Sequence, residues 1–444
     1  MPLFKVFRPR GWLLLAVGAI ALFLAQVLGR RDLLTAAVFC FVLPAVAYAA
    51  LHFFRFGFTL KRTLTPALGR VGQPVEVDLE VHGHNPGGSQ SRLVEELPFS
   101  FRDVPTFSHP QPVAPRSHRS DYQYTLHPSH RGVFTIGPLR GTFTDPFDVA
   151  SLQRGMDDGD RLTVAPAAVA LPAISLTEGR GQDGSQATAE LAHSRQDDVM
   201  TRDYRYGDPL RRVHWPVSAR QGKLMVRAEE SVTTPEAVLV LDRRHLAYGE
   251  PFRGMDRFQM NGRSAAGLPE LVTTAAFESA IVAAASIATH LLERDFTVAL
   301  LDHRGDPAML SSGSAPDPSA EDFTGAQGIL DVAAGLAALE LAGPGENSLP
   351  GSLAERLHGG ERRGPLVAVM GALSEAEALL LAGGSESAQS AYALILCHEL
   401  PDAAPALAIL RRAGWRAAAL TPRTPLLQAW AGLDSGTATG GAVP

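Results

Sequence analysis

The sequence predicts a multi-domain protein with a two-helix transmembrane hairpin, a β-sandwich-like middle domain and a C-terminal α/β domain. Two long apolar runs lie near the N-terminus, short runs of alternating polarity come next, and strand-like and helix-like runs then alternate. The predicted boundaries are 1–58 for the hairpin, 59–166 for the middle domain, 167–235 for a linker segment, 236–433 for the α/β domain and 434–444 for a tail.

Composition narrows the class of protein. A chain of 444 residues corresponds to two or three domains. The formal net charge of −6 lacks the basic footprint of a nucleic-acid binder, so no nucleic-acid partner is expected. Cys40 and Cys397 are the two cysteines, and both lie in apolar runs. They therefore predict small buried side chains and no disulfide framework.

The hairpin is predicted from residues 12–28 and 33–54, which are almost wholly apolar and separated by a very short polar tip. A helix that crosses a bilayer needs about 20 mostly apolar residues. The first run is at the short limit and the second is comfortably long. A secretory signal peptide is the alternative, but it leaves the second apolar run unexplained. The sequence therefore predicts a bilayer anchor.

The positions of the cations predict the orientation of this anchor. Lysine and arginine are retained on the cytoplasmic side of a membrane. We therefore expect both termini and the soluble domains in the cytoplasm. Lys5, Arg8, Arg10, Arg55, Lys61 and Arg62 flank the pair of spans, whereas the tip carries Arg30 and Arg31.

The middle domain has the signals of strands. Residues 75–81 alternate apolar and polar side chains with period 2, between turn-forming residues at 72–74 and 84–88. Several short strands with Pro/Gly turns favour a small antiparallel sandwich. Residues 177–192 are rich in glycine and polar side chains and predict a linker. Further short strands are predicted at 122–126, 132–136, 139–143 and 162–164.

Residues 202–227 are the most informative stretch of the sequence for function. In it, Tyr204 and Trp215 are apolar anchors among many charged residues. Gly207 and Asp208 begin a turn in which Asp208 can accept backbone N–H groups. Cations and anions nearly balance, so the stretch is not strongly basic. Three interpretations stay open: a structural network of arginine–carboxylate pairs, a docking surface for a protein partner, and a phosphate or nucleotide site.

This stretch resembles the diagnostic segment of the bacterial family called domain of unknown function 58. The family pattern is Tyr-x-x-Gly-Asp, then Arg, then an apolar residue followed by His or Asp and Trp, then Ala-Arg, then Gly-x-Leu. Residues 131–137 and 145–147 carry a second resemblance upstream. The candidate docking residues are Arg202 and the matching Tyr204, Gly207, Asp208, Arg211, His214, Trp215, Ala219, Arg220 and Gly222.

The resemblance also implies protein partners. Proteins of this family are typically encoded beside a MoxR-type AAA+ ATPase, often with a transglutaminase-like membrane protein. They are thought to act with that ATPase in the assembly or maturation of other proteins. The resemblance carries over no enzymatic activity.

The C-terminal half predicts a parallel sheet covered by helices on both faces, because apolar strand-like runs are separated by helix-like runs. The first helix, at 271–293, contains Glu278, His290 and several hydroxyl side chains, which favour a buried core helix over a third span. Residues 306–324 and 343–364 predict surface loops. Strands are predicted at 237–241, 296–301, 366–370, 392–397 and 416–420, and further helices at 325–341, 374–381, 404–413 and 425–431.

This half resembles a von Willebrand factor A domain, as the family resemblance also implies. In that fold, Asp-x-Ser-x-Ser after the first strand binds a divalent cation through oxygen ligands. Here Asp242 is present, but Arg244 and Leu246 occupy the serine positions. We therefore expect a degenerate metal site and no metal or other cofactor. Asp242 is left to pair with Arg243 or Arg244, or to cap the following turn.

The sequence as a whole predicts a non-enzymatic scaffold or adaptor that acts by protein–protein contact. It contains no Gly-x-Ser-x-Gly, P-loop or His-Glu-x-x-His motif. The alternative is a hydrolase, or an enzyme that binds a nucleotide or metal, and uses Asp208 with His214. A structural histidine is the simpler interpretation of His214.

Overall fold

The computed structural model describes most of the chain, which folds into two compact units. The first unit contains Met1–Ala167, and the second contains most of residues 168–444. The described residues are 7–53, 57–83, 91–98, 100–101, 104–109, 119–174, 201–204, 213, 215–227, 235–249, 252–253, 271–343, 345–359, 364–421 and 423–435. The linker predicted at 177–192 lies outside them.

Two apolar helices begin the chain, as predicted. Helix α1 spans Pro9–Leu28 and helix α2 spans Arg31–Phe53, each with a mean hydropathy of 2.2 in its most apolar window. The helices approach closely at Gly18, where a Cβ atom would lie 3.0 Å from the Cβ of Cys40. Gly29 ends α1 with a φ of 64°, in the left-handed region that glycine tolerates. Both helices are long and apolar enough to cross a membrane, which suits an anchor.

Among the described residues, the strand-rich region of the first unit contains three sheets, ordered β1-β3-β6, β2-β10-β7 and β5-β4-β8-β9. Within these sheets the pairs are antiparallel, except for the parallel pair of β2 and β10. The strands are β1 Phe58–Thr65, β2 Leu68–Arg70, β3 Val75–Gly83, β4 Ser91–Glu95, β5 Thr106–His109, β6 Arg119–Leu126, β7 Gly132–Ile136, β8 Leu139–Thr144, β9 Ser151–Gly155 and β10 Asp160–Ala165.

Strand β3 shows why the alternating pattern was informative. Val75, Val77, Leu79 and Val81 are fully buried, while the polar residues between them face outward or are half-buried. A period of two residues places alternate side chains on opposite faces of a strand. The strands predicted at 122–126 and 162–164 are longer than expected, whereas the strand at 132–136 has the predicted bounds.

In the second unit a small ribbon precedes the main sheet. Strand β11, Thr201–Asp203, pairs in antiparallel fashion with strand β12, Met225–Arg227. The short helix α3, Trp215–Gln221, lies between them in the chain. These three elements contain most of the described part of the motif segment.

The α/β sheet of the second unit has the strand order β17-β16-β13-β18-β19-β20. Strand β17 is antiparallel to β16, and the other neighbours are parallel. The elements are β13 Glu236–Leu241, β14 Phe252–Arg253, β15 Val272–Thr273, α4 Ala275–Leu292, β16 Thr297–Asp302, β17 Asp322–Phe323, α5 Gly325–Ala337, α6 Gly351–Gly359, β18 Pro365–Met370, α7 Glu375–Ala382, β19 Ser390–Leu396, α8 Leu400–Arg412, β20 Arg416–Leu420 and α9 Leu426–Ser435.

The prediction that residues 306–324 and 343–364 are surface loops was wrong in part, because both stretches contain regular elements and buried residues. The stretch 343–364 contains helix α6, whose Leu353 is buried in the core. The stretch 306–324 contains the edge strand β17 and the fully buried residues Ala308 and Met309. Glycine, proline and serine suggested irregular chain in both places. A few apolar side chains were enough to anchor these segments in the tertiary structure.

Helix α4 is a core helix, although its length and composition would also allow it to span a membrane. Two-thirds of its most apolar window is buried inside the protein. The helix begins at Ala275, after Thr274, whose side chain accepts a hydrogen bond of 3.0 Å from the N–H of Phe277. The helix predicted at 271–293 therefore starts later than expected, because Val272–Thr273 pairs as a strand.

His290, near the end of α4, makes the stability of this domain dependent on pH. It is 3% exposed, and burial together with Arg294 lowers its pKa to about 4, from an ordinary value of 6.5. The unfolded chain therefore takes up a proton first as the pH falls. We expect the stabilisation to be complete above about pH 6.5 and to be lost as the pH falls towards 4. Thermal unfolding across this range measures the effect.

The variant His290→Phe is the control for that prediction. A phenyl ring can retain the edge contact with the Trp430 ring, whose centroid lies 5.5 Å from that of His290. It cannot titrate, so its melting temperature should fall less between pH 7 and pH 4.5 than that of the wild type. Equal falls in the two proteins would contradict the assignment.

Candidate functional site

The motif segment is held together by backbone pairing. The N–H of Tyr204 donates to the carbonyl oxygen of Leu224 at 2.9 Å, which extends the ribbon of β11 and β12. Val213 forms a β-bridge with Val226, and both side chains are buried. The described residues of this stretch therefore form a small module in which the chain before and after helix α3 is paired.

Ser218 and Gly222 explain how helix α3 is attached to this module. The N–H of Met225 donates to the hydroxyl oxygen of Ser218 at 2.8 Å, and Ser218 is buried. Gly222 follows the helix with a φ of 68°, and its N–H donates to the carbonyl oxygen of Ser218 at 3.0 Å. A glycine in the left-handed conformation is a common way to end a helix. The Gly-x-Leu part of the pattern therefore has a structural role.

The outer face of the module is apolar and cationic. The side chain of Trp215 is 63% exposed, and that of Leu224 is 40% exposed. Ala219 and Arg220, on helix α3, are also exposed. We call these four exposed residues, Trp215, Ala219, Arg220 and Leu224, the motif face. A tryptophan this exposed on an ordered element is the kind of side chain that serves as a binding hot spot.

Several predicted site residues lie outside the part of the chain that the structure describes. They are Gly207, Asp208, Arg211 and His214, together with the side chain of Arg202. The hypothetical acid/base pair of Asp208 and His214 therefore stays a sequence-based prediction.

A second candidate site lies at the carboxyl edge of the parallel sheet. Asp242 directly follows β13, and its side chain is completely buried. The guanidinium of Arg244 donates to both of its carboxylate oxygens, with N–O distances from 2.8 to 3.1 Å. The backbone N–H groups of Arg244 and Gly371 also donate to this carboxylate, at 2.9 and 3.2 Å. Asp242 therefore both pairs with Arg244 and caps the turn after β13.

Arg244 is enclosed by more than one acceptor. Its guanidinium also contacts the carboxylate of Glu377 on helix α7 and the carbonyl oxygen of Ala372, the latter at 3.3 Å. Burial opposes the charge of Arg244, but the hydrogen bond and attraction of Asp242 raise its pKa above the ordinary value. A permanent cation thus covers both carboxylate oxygens of Asp242.

The side chain of Arg243 forms hydrogen bonds with residues other than Asp242, and the sequence did not predict these bonds. Its guanidinium donates to the carbonyl oxygen of Glu340 at 3.0 Å and to the hydroxyl of Ser311 at 2.5 Å. Burial lowers its pKa, against the attraction of Asp302 and the nearby glutamates. Arg243 therefore holds the segments of Ser311 and Glu340. Arg244 instead contacts Ala372 and helix α7.

His303 is the other buried side chain that the sequence analysis missed here. It follows β16 directly, is 0% exposed, and neither ring nitrogen has a hydrogen-bond partner among the described residues. Burial lowers its pKa, which favours the neutral ring. Its place after a parallel strand was a usable signal, because side chains that follow parallel strands converge at one edge of the sheet.

The arrangement at this edge is a closed network of ion pairs. Within the described ranges, no group of three His, Cys, Asp or Glu side chains has an arrangement that could hold a metal ion. Asp302 accepts backbone N–H groups of Arg304 and Asp306 at 2.8 and 3.1 Å, so its carboxylate also stabilises a turn. The hydrogen bonds of Asp242 and Asp302 fix the turns that follow β13 and β16.

Comparison with known protein families identifies a match in the motif segment. A family model described as "protein of unknown function DUF58" matches residues 200–251. The matched residues include the ribbon, helix α3, strand β13 and Asp242. A search of curated proteins found no match.

Proposed function

Since the chain belongs to the family of proteins of unknown function DUF58, we propose that it is a membrane-anchored, non-enzymatic scaffold that acts by contact with other proteins. The observation that carries the proposal is the motif face, where Trp215 is 63% exposed on an ordered element. Exposed aromatic and arginine side chains on a fixed backbone dominate the energy of many protein interfaces. The family match includes this surface.

The internal bonds of the module support a docking role. Ser218, Gly222 and the strand pair hold the backbone beneath Trp215, so little conformational entropy remains to be lost on binding. Charged groups at the border of such a surface direct the encounter with a partner. Arg220 supplies one of these charges.

The proposed partner is a MoxR-type AAA+ ATPase, as the family resemblance implies, with a transglutaminase-like membrane protein as a further neighbour. Helices α1 and α2 would hold the soluble region at the bilayer, and the cation distribution favours its cytoplasmic side. A cytoplasmic position would give an ATPase access to the motif face.

We also infer that the strand-rich region is sandwich-like and that the α/β region is a von Willebrand factor A-like domain. The order β17-β16-β13-β18-β19-β20 supports the second inference, because it is the doubly wound order 3-2-1-4-5-6. In this proposal the pair of Asp242 and Arg244 replaces a bound cation and keeps the sheet edge permanently closed.

Capture of the ATPase by the detergent-solubilised full-length chain tests the proposed function. We expect Trp215→Ala to weaken capture by about tenfold or more, as the loss of a hot-spot residue does, and Arg220→Ala to weaken it as well. The matched controls are Leu379→Ala, at a leucine that is 64% exposed, and Arg412→Ala, at an exposed arginine of helix α8.

Both controls should capture the ATPase as the wild type does, and circular dichroism should show that all four variants are folded. If Trp215→Ala and Arg220→Ala capture it undiminished, the motif face does not form the contact. If the controls lose as much affinity as the motif variants, the effect is not specific to this face.

A further inference from the structure

A short loop of the strand-rich region is fixed to the beginning of the first membrane helix. The N–H of Arg8 donates to the carbonyl oxygen of Val149 at 2.9 Å, and Phe7 forms a β-bridge with Ala150. The helix approaches so closely that a Cβ atom on Gly11 would overlap the carbonyl oxygen of Val149. The loop and the helix are therefore in direct backbone contact.

Asp145 makes this loop rigid. Its carboxylate is 5% exposed and accepts hydrogen bonds from the N–H groups of Phe147, Val149 and Ala150, at 2.8, 2.8 and 2.5 Å. Asp148 adopts a φ of 58°, a conformation that aspartate tolerates better than most residues. The Asp145-Pro146-Phe147 sequence, which resembles a family pattern, thus builds a fixed turn.

The loop lies at the depth where a membrane begins. Helix α1 has 20 residues, which at 1.5 Å per residue is about 30 Å, the thickness of the hydrocarbon core. Its first residue, Pro9, therefore falls near the boundary between headgroups and hydrocarbon. Phe147 is 60% exposed at this level. An exposed aromatic ring is stable there because it can enter the interface.

A groove opens between this loop and the two helices. Its volume is about 450 Å³, within the range of small-molecule sites. Leu13, Leu14, Leu43 and Phe147 supply apolar walls, and Arg10 stands at its edge. Because the walls are membrane-spanning helices, a hydrocarbon chain can enter the groove from the side without crossing water.

The charges beside the groove do not cancel. Arg8 and Arg10 both face Asp148: Arg8 is in direct contact, and a guanidinium nitrogen of Arg10 lies 3.9 Å from a carboxylate oxygen. Two guanidinium groups share one carboxylate, which leaves one positive charge. The side chain of Arg10 is 72% exposed and so remains available to a further anion. A phosphate oxygen at the interface matches this position.

We propose that this groove binds one anionic phospholipid. An acyl chain lies against Leu13, Leu43 and Phe147, and the lipid phosphate contacts Arg10. The apolar walls select a lipid over a free phosphate, and the uncompensated charge selects an anionic headgroup over a neutral one. The site would couple the position of the rigid loop, and of the sheet that carries it, to the composition of the membrane.

Native mass spectrometry of the full-length chain tests this proposal, with the protein purified in mild detergent containing equal amounts of phosphatidylglycerol and phosphatidylcholine. We expect one retained phosphatidylglycerol per chain. Arg10→Gln should abolish the preference for phosphatidylglycerol, because it removes the cation and leaves the pair of Arg8 and Asp148 intact. Phe147→Ser should reduce retention of both lipids.

Arg31→Gln is the matched control, since Arg31 begins helix α2 at the opposite end of the hairpin. It should retain phosphatidylglycerol as the wild type does. Equal retention of the two lipids by the wild type, an unchanged preference in Arg10→Gln, or an equal loss in Arg31→Gln would each overturn the proposal. Retention of inorganic phosphate without lipid would overturn it as well, because it would show an anion site alone.

Discussion

The variant Arg244→Met is expected to lose about 3–5 kcal/mol of the free energy of unfolding of the α/β domain. This is the range observed when one partner of a buried ion pair is removed. Asp242 is 0% exposed and would keep only backbone donors. Hydrogen exchange of peptides from β13 and β18 measures the effect, because these strands open only with the domain.

A matched variant separates this effect from the general loss of an arginine. Arg304 also pairs with two carboxylates, those of Asp306 and Glu346, but its side chain is 47% exposed. Arg304→Met should therefore change the stability by less than about 1 kcal/mol. The double variant Asp242→Leu with Arg244→Met should be more stable than Arg244→Met alone, because no buried charge is left unpaired. Unchanged exchange in Arg244→Met would contradict the assigned network.

The same site allows a test with a metal ion. In the wild type, Arg244 covers the oxygens of Asp242, so millimolar Mg²⁺ should not slow the exchange of β13. In Arg244→Ser the carboxylate is uncovered and a hydroxyl replaces the cation, so Mg²⁺ should restore part of the lost stability. Slower exchange of the wild type in Mg²⁺ would contradict the proposal that the ion pair replaces a cation.

The variant Arg62→Met is expected to have an effect of similar size on the strand-rich region, again about 3–5 kcal/mol. The side chain of Arg62 is 0% exposed, and its guanidinium lies 2.6 Å from Glu95, 2.8 Å from Asp157 and 2.6 Å from Asp160. These contacts join β1 to β4 and to the chain that leads into β10. Their loss should speed hydrogen exchange in peptides from β1 and β4.

The effect of Arg62→Met should also depend on pH. Burial raises the pKa of Glu95 to about 7, and Arg62 opposes this shift. Without Arg62 the pKa of Glu95 rises further, so folding requires Glu95 to hold a proton that the unfolded chain releases. The loss of stability should therefore be greater at pH 8 than at pH 6.

Two control variants accompany this prediction. Arg119 pairs with Asp121 and Glu80 at 2.9 and 3.0 Å, but its side chain is 51% exposed, so Arg119→Met should leave the stability nearly unchanged at both pH values. Combining Arg62→Met with Glu95→Gln should remove most of the additional loss at high pH. A loss in Arg62→Met that is the same at both pH values would contradict a buried, titrating Glu95.

The elements that the sequence predicted well are those whose pattern is set locally. The apolar runs at 12–28 and 33–54 correspond to α1 and α2, and the alternation at 75–81 corresponds to the buried face of β3. Strands β1, β2, β4, β5 and β9 were not predicted. In β1 and β4 the inward-facing positions include Arg62 and Glu95, which are buried as an ion pair, so the sequence shows no clear alternation of apolar and polar residues there.

The candidate sites also have features that the sequence predicted and features that it did not. The place of Asp242 after an apolar strand was evident, but whether Arg243 or Arg244 would pair with it was not. Arg244 also contacts Glu377, which lies 133 positions away in the chain and reaches the same sheet edge on helix α7. The groove beside Phe147 could not be predicted either, since it requires two helices and a distant loop.

The sequence by itself determined the membrane hairpin, the succession of strands and helices, and the family motif, because hydrophobic period and local motif are properties of neighbouring residues. The tertiary structure decided which charges are buried together, which side of the motif is exposed, and where the loop of Asp145 meets the first helix. These features depend on side chains far apart in the chain, whose desolvation is compensated only when folding brings their partners into contact.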